Sequence, residues 1–154
     1  MAFSVQKDDP ARPDVAALLA LHHALMLTQS PVESCHVKTG DELGRTGAYL
    51  MSVRDGDELL GIGAFLDIGA GAVELKSMHV LAAARGKGAG RALLNGLIVA
   101  AGSAGARKMF LETGSGDDHA AARAMYLRAG FRPCAAFGSY TDDPRSTFMT
   151  LALL

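Results

Sequence analysis

"ARGKGAGRALLNGL", residues 84–97, sets three glycines and three basic side chains into eight positions and then turns into an apolar helical pattern. Gly86, Gly88 and Gly90 let the backbone approach a ligand closely and take conformations closed to other residues. Arg85, Lys87 and Arg91 add positive charge around them. The run before the turn, "VELKSMHVL" (Val73 to Leu81), reads as a strand. A helix beginning near Gly88 therefore aims its free N–H groups and positive dipole end at whatever sits in the turn. The pattern predicts an anion site, and phosphate is the natural occupant.

Working outward, "AYLMSVRDGDELLGIGAFLDIGAGAVELKSMHVL" (48–81) reads as three strands, the first two joined by the hairpin signal Asp55-Gly56 and the next two by "GAGA" at 69–72. This is an antiparallel meander. Downstream, "RALLNGLIVAAGSAGA" predicts a helix ending near Gly102 or Gly105, and "KMFLETG" (Lys108 to Gly114) an apolar strand. A strand, a turn, a helix and a strand make a crossover, so the strands on either side of it are predicted to be parallel neighbours. "DDHAAARAMYLRAGF" supplies a further helix, with Asp117 or Asp118 as N-cap and Gly130 as its stop. "FRPCAAF" and "TFMTLALL" are two last strands, linked by "GSYTDDPRS". Upstream, "FSVQKD" (Phe3 to Asp8) is a first strand, and Pro13 opens a helix over "PDVAALLALHHALMLTQ". "SPVESCHVKTGDEL" (Ser30 to Leu43) is irregular and can hold a short helix within a long binding excursion.

At 154 residues the chain is expected to form one domain over 1–154. A net charge of −1 offers no field for non-specific nucleic-acid binding. The two cysteines, Cys35 and Cys134, lack metal-ligand spacing and read as reduced thiols. No apolar run approaches the ~20 residues of a membrane span, and the N-terminus is charged where a signal peptide is apolar. A cytoplasmic protein without membrane or nucleic-acid partners is expected, and a homodimer is compatible with this composition.

Three phosphate-binding turns compete for the glycines. The nucleotide P-loop requires Gly-Lys-Ser/Thr, and Gly90 is followed by Arg91 and Ala92. The dinucleotide fingerprint requires a third glycine at position 91 or 93, where Arg91 and Leu93 stand. The third pattern, Arg/Gln-x-x-Gly-x-Gly/Ala, is met by Arg85, Gly88 and Gly90. Here, over "ELKSMHVLAAARGKGAGRALL" and again at "AMYLRAGF", the chain resembles the GCN5-related N-acetyltransferase (GNAT) superfamily from about residue 50 onward. It departs from the usual pattern at Ala82, where relatives commonly carry proline, and at Asp118-His119, where many carry asparagine.

The resemblance implies an α/β (α+β) GNAT fold. Its mixed central sheet has about six to seven strands, an antiparallel N-terminal meander and splayed parallel strands four and five, flanked by about four helices. It implies acetyl-CoA as the acyl donor, bound through its pyrophosphate by the turn, Arg85 to Arg91 including Ala89. The freed backbone of Met78, His79 and Val80 would bind the pantetheine arm and the thioester oxygen. An oriented backbone donor of that kind contributes about 3 kcal/mol to a thioester transition state. No metal is expected.

Acetyl transfer to an amine also needs a proton acceptor and a proton for the leaving thiolate. Strict alternation along the strand puts Glu74, Lys76, Met78 and Val80 on one face. In some GNAT enzymes a glutamate at the place of Glu74 is the base; the competing reading is an ion pair with Lys76 or an arginine. Glu112 and Thr113 are weaker candidates on the next strand. The resemblance places the Tyr126 phenol at the coenzyme sulfur as the acid, against a plain core aromatic beside Ala122 and Ala129. Ser34 and His36 fall in the substrate-covering segment. His22 and His23 lack an i+4 partner and suggest no metal site, and His79 has no role derivable from sequence. The reading is an N-acetyltransferase acting by direct attack of a small-molecule or peptide amine, without acyl-cysteine at Cys35 or Cys134. The alternatives are a non-catalytic acyl-CoA-binding or regulatory module on the same fold and a nucleotide-dependent phosphotransferase, which the missing Lys-Ser/Thr disfavours.

Overall fold

The computed structural model describes residues 3–29 and 47–153. Ser34, Cys35, His36 and the helix expected between Ser30 and Leu43 lie outside them. The described elements are β1 (Ser4–Lys7), α1 (Pro13–Gln29), β2 (Tyr49–Asp55), β3 (Glu58–Gly69), β4 (Ala72–Val80), α2 (Ala89–Ser103), β5 (Lys108–Gly114), α3 (Ala120–Arg128), β6 (Arg132–Pro133) and β7 (Ser146–Ala152). They build one mixed seven-stranded sheet in the order β1-β2-β3-β4-β5-β7-β6. Only β4 and β5 run parallel. The meander and the crossover both stand as the turn residues predict: Gly56 closes the first hairpin at φ +61° and Gly69 and Gly71 the second at +90° and +76°.

Each sheet face buries its own helices. On one, Leu93, Leu94, Leu97 and Ala101 of α2, with Tyr126 of α3 and Phe131 just after it, pack on Val73, Leu75, Met109, Leu111 and Met149. On the other, Val15, Leu18 and Leu19 of α1 lie against Leu50, Leu59, Ile62 and Ala64. Full burial of each such side chain is worth roughly 1.5–3 kcal/mol, which is what holds the helices against the strands that carry the site. The start of α1 is tied to the sheet edge by Arg54, only 2% exposed, whose guanidinium donates to Asp8 at 3.0 Å and to Asp14 at 2.7 Å.

Two local expectations change. The helix α3 begins at Ala120, after a 3₁₀ turn over Asp117–His119, so neither Asp117 nor Asp118 caps it. More consequentially, β4 does not alternate strictly. Its register against β3 slips between Lys76↔Ala64 and His79↔Ile62, so that Ser77 and Met78 together face Gly63. This is a β-bulge, with Ser77 at φ +59°. The extra residue exchanges the faces of everything after it. Met78 and Val80 join Val73 and Leu75 on the α2 side, whereas His79 turns to α1 and meets His22. Glu74 and Lys76 therefore do not share a face with Met78 and Val80. Gly63 allows the bulge: a Cβ there would press on the Met78 side chain and come within 2.7 Å of Leu97 Cδ1.

Candidate active site

Pairing between β4 and β5 runs from Ala72↔Lys108 to Leu75↔Leu111 and stops. Beyond it, β4 continues along β3 to Val80 and β5 continues along β7 to Gly114. The two strands diverge, and Lys76 to Val80 face Glu112 to Gly114 across a wedge with no β4–β5 pairing. The glycine turn closes the wide end. Gly86 and Gly88 take φ of +77° and +92°, which only glycine adopts without strain. Gly88 is the N-cap of α2, and no side chain caps that helix. The first backbone amide taken up is that of Ala92, by the Gly88 carbonyl at 3.0 Å. The amides of Ala89, Gly90 and Arg91 are thus left at the helix mouth, where the dipole favours an anion.

The turn residues divide by role. Lys87 and Arg91 are exposed. Arg85 instead donates from Nε to the Val80 carbonyl at 3.1 Å, fastening the turn to the strand end. A Cβ at Gly86 would meet nothing within 4 Å, and one at Gly88 only the Phe3 ring at 3.7 Å, so both leave open space. Gly90 differs: a Cβ there would sit 3.2 Å from Met125 Sδ and 3.3 Å from Val80 Cγ2. Its missing side chain lets α3 dock on the start of α2, which brings Tyr126 beside the turn.

Tyr126 is 5% exposed, edge-on to Phe131 with ring centroids 5.8 Å apart. Burial pushes its phenol well above the ordinary value, so it stays protonated. Inside the wedge the Ser77 hydroxyl is buried with no hydrogen-bond partner among the described residues. Glu112 and Thr113 are half-buried there, across from Phe148 and Thr147 of β7. At the tip of β5, the His119 ring lies directly over Gly114. Arg123 donates to the Gly114 and Gly116 carbonyls at 2.7 and 2.8 Å, which fixes the loop into α3.

Glu74 makes the ion pair with Lys76, one of the two readings of it from sequence. Its carboxylate lies 3.2 Å from Lys76 Nζ and accepts a 2.6 Å hydrogen bond from the Tyr140 hydroxyl, which in turn accepts from Lys76 at 2.8 Å. Burial, followed by the hydrogen bond to Glu74 and the negative charges of Glu74 and Glu112, pushes the Tyr140 phenol up and keeps it a donor. Tyr140 belongs to the segment between β6 and β7, and its ring joins Phe137 and Phe148 over Phe110. The carboxylate thus anchors that segment to the sheet. Sequence reading missed Tyr140, which stands 66 positions from Glu74 with no local signature.

It also missed the other polar group at the wedge. His22 of α1 and His79 of β4, 6% and 9% exposed, meet Nδ1 to Nδ1 at 2.9 Å with their rings nearly perpendicular. Burial, with smaller contributions from His79, His23 and His119, pushes His22 down to about 4. The unfolded chain, with histidine near ~6.5, binds a proton across that window and the folded chain does not. Stability is therefore fully present above about pH 6.5 and lost on acidification toward pH 4, on the order of 3 kcal/mol from this group. Urea denaturation of the wild type and His22→Gln at a series of pH values is expected to show a steeper acid loss in the wild type.

The family model described as "Acetyltransferase (GNAT) family" matches residues 18–131. The chain is 34% identical to the uncharacterised N-acetyltransferase YedL of Escherichia coli over 151 residues, covering 98% of this chain and 95% of YedL. A provisionally named acyl-CoA N-acyltransferase from Klebsiella pneumoniae superposes with a TM-score of 0.79 at 27% identity, covering 99% and 98% of the two chains. An acetyltransferase from Bacillus subtilis, solved in complex with CoA, shares the fold with a TM-score of 0.73 at 21% identity, covering 99% of this chain and 100% of its own.

Proposed function

Because the chain belongs to the GNAT family of acetyltransferases, we propose that it moves the acetyl group of acetyl-CoA to a primary amine of a small molecule or peptide, by direct attack on the thioester. The observation that carries this reading is the uncapped start of α2, set by Gly88 at the wide end of the β4–β5 wedge. A diphosphate fits there because the first amides of α2 have no helical partner and the turn borders open space at Gly86 and Gly88, and an acyl-pantetheine arm fits the wedge because its facing edges are not paired with each other. The CoA complex of the structurally similar B. subtilis protein supports the same choice of donor.

The donor's pyrophosphate is held by the amides of Ala89, Gly90 and Arg91, with Lys87 and Arg91 adding charge at the surface. Arg85 fixes the turn, and the backbone of Met78 to Val80 lines the arm. Tyr126 hydrogen-bonds the sulfur as the C–S bond breaks. Glu112 and Thr113 face the acceptor side of the wedge. Glu74 holds Tyr140 and the segment that covers this face. Burial pushes the Cys134 thiol up, the wrong direction for an acyl-carrying nucleophile, which favours direct transfer.

Thiol release from acetyl-CoA, measured across polyamines, amino acids, aminoglycosides and peptide N-termini, tests the reading. Amine-dependent release with one class is expected. Tight acetyl-CoA binding without release for any amine would replace transfer by a non-catalytic acyl-CoA-binding role.

A further inference from the structure

Glu74 is engaged with Lys76 and Tyr140, and the wedge holds a second group able to accept the proton of the attacking amine. We propose that His79 takes that proton, with His22 as the positioning residue that orients and supports its ring. This rests on the acetyl-transfer reading above. His79 stands on the length of β4 that pairs with β3 but no longer with β5, and the Ser77 bulge turns it to the α1 side of the sheet. The 2.9 Å Nδ1···Nδ1 contact requires, in a neutral pair, that one Nδ1 carries hydrogen and the other is bare. If the His79 Nδ1–H donates to the bare Nδ1 of His22, the His79 Nε2 is left bare and the His22 Nε2 carries hydrogen. His79 then offers a lone pair on its outer nitrogen, and His22 stabilises the charge that appears on it, as a third group does in a nucleophile–base–orienter triad.

The step balances as follows. The amine lone pair forms the C–N bond, and its nitrogen becomes strongly acidic as it does so. An N–H bond breaks toward His79 Nε2. The C–S electron pair leaves with sulfur as a thiolate, which accepts a hydrogen bond from the Tyr126 phenol. Water then removes the proton from the imidazolium, and the departing thiolate takes one from solvent. A weakly basic imidazole suffices because the nitrogen has already lost its basicity. Burial pushes His79 down, with the Arg85 guanidinium adding to it, so the pair stays neutral near pH 7. The other titratable groups acting on the pair are His23 on α1, whose Nδ1 is buried without a partner among the described residues, and His119 before α3, both through His22; Glu74 and Lys76 stand earlier on β4 as an ion pair.

The test uses the best amine of the panel above with His79→Gln, His22→Gln and His79→Ala. In His79→Gln, kcat is expected to fall about 10²-fold near pH 7, with the acetyl-CoA dissociation constant within about twofold of wild type. Wild-type kcat should fall at acid pH as the pair takes up a proton, and this limb should vanish in His79→Gln. His22→Gln should lower kcat by less, and added imidazole should restore part of the activity of His79→Ala. Should His79→Gln fail to fold, the pH profile of His22→Gln and the imidazole rescue carry the decision. An active wild type with both Gln variants within about twofold of it overturns the assignment and leaves acetyl transfer standing. So does a loss that is uniform with pH and insensitive to imidazole. A wild type that binds acetyl-CoA but acetylates no amine overturns both.

Discussion

Gly88→Val is expected to yield a folded protein that no longer binds acetyl-CoA. Gly88 sits at φ +92° as the N-cap of α2, and its open side faces no atom nearer than the Phe3 ring at 3.7 Å. A valine there meets two penalties. The left-handed backbone costs roughly 1–3 kcal/mol for a side-chain-bearing residue, most for a β-branched one, and this falls on stability or distorts the turn. The isopropyl group also occupies the space in front of the amides of Ala89 to Arg91. Hydrogen bonds to a charged group are worth about 1.5–3 kcal/mol each, so losing two raises the dissociation constant about 10²-fold or more. Gly90→Ala is the informative control. Its Cβ would press on Met125 Sδ and Val80 Cγ2 instead of entering the ligand space, so it should lower the melting temperature while retaining most of the binding. Isothermal titration with acetyl-CoA and a thermal melt of each variant check both. Unchanged affinity in folded Gly88→Val would remove the turn as the diphosphate site.

This contrast among the glycines marks where the sequence was legible. Strands, hairpins and the crossover were readable because their signals are local: Asp55-Gly56 and "GAGA" between alternating runs, and three glycines between an apolar strand and an apolar helix. The parallel β4–β5 neighbours followed from the short crossover, whereas the place of β7 between β5 and β6 did not, because the connection from β6 to β7 carries no signal of which strand the last one joins. What stayed hidden depends on partners distant in the chain. The bulge needs Gly63 on the neighbouring strand to make room for Met78, and a serine in a left-handed conformation has no sequence signature. Without the bulge, alternation puts Glu74 with Met78 and Val80 and turns His79 away, which inverts the polar content of the wedge. The His22–His79 contact spans 57 positions and the Glu74–Tyr140 bond 66, and no periodicity links either pair. The aspartates before α3 misled for a local reason: a 3₁₀ turn intervenes, and the first α-helical residue follows His119.

Tyr126→Phe is expected to separate binding from chemistry. The ring is 5% exposed and edge-on to Phe131, and phenylalanine keeps both the volume and the contact. The melting temperature and the acetyl-CoA dissociation constant should therefore stay close to wild type. The hydroxyl is what changes. Burial drives the phenol well above its ordinary value, so it is a reluctant full acid toward a thiol of pKa about 8.5. Its contribution is best made as a hydrogen bond that strengthens as negative charge gathers on sulfur, in a site dry enough for that bond to count. Removing it should lower kcat by roughly 10²-fold, the scale of a positioned proton donor or a single oxyanion donor. Tyr126→Ala tests the opposite reading, a ring that only fills the core: it should cost about 3–5 kcal/mol of stability through the cavity it leaves. If the ring were structural alone, Tyr126→Phe would turn over like wild type and only Tyr126→Ala would be impaired. Thiol-release kinetics at saturating acetyl-CoA, with melts of both variants, distinguish the two, and a fully active Tyr126→Phe protein would withdraw the phenol from the chemical step.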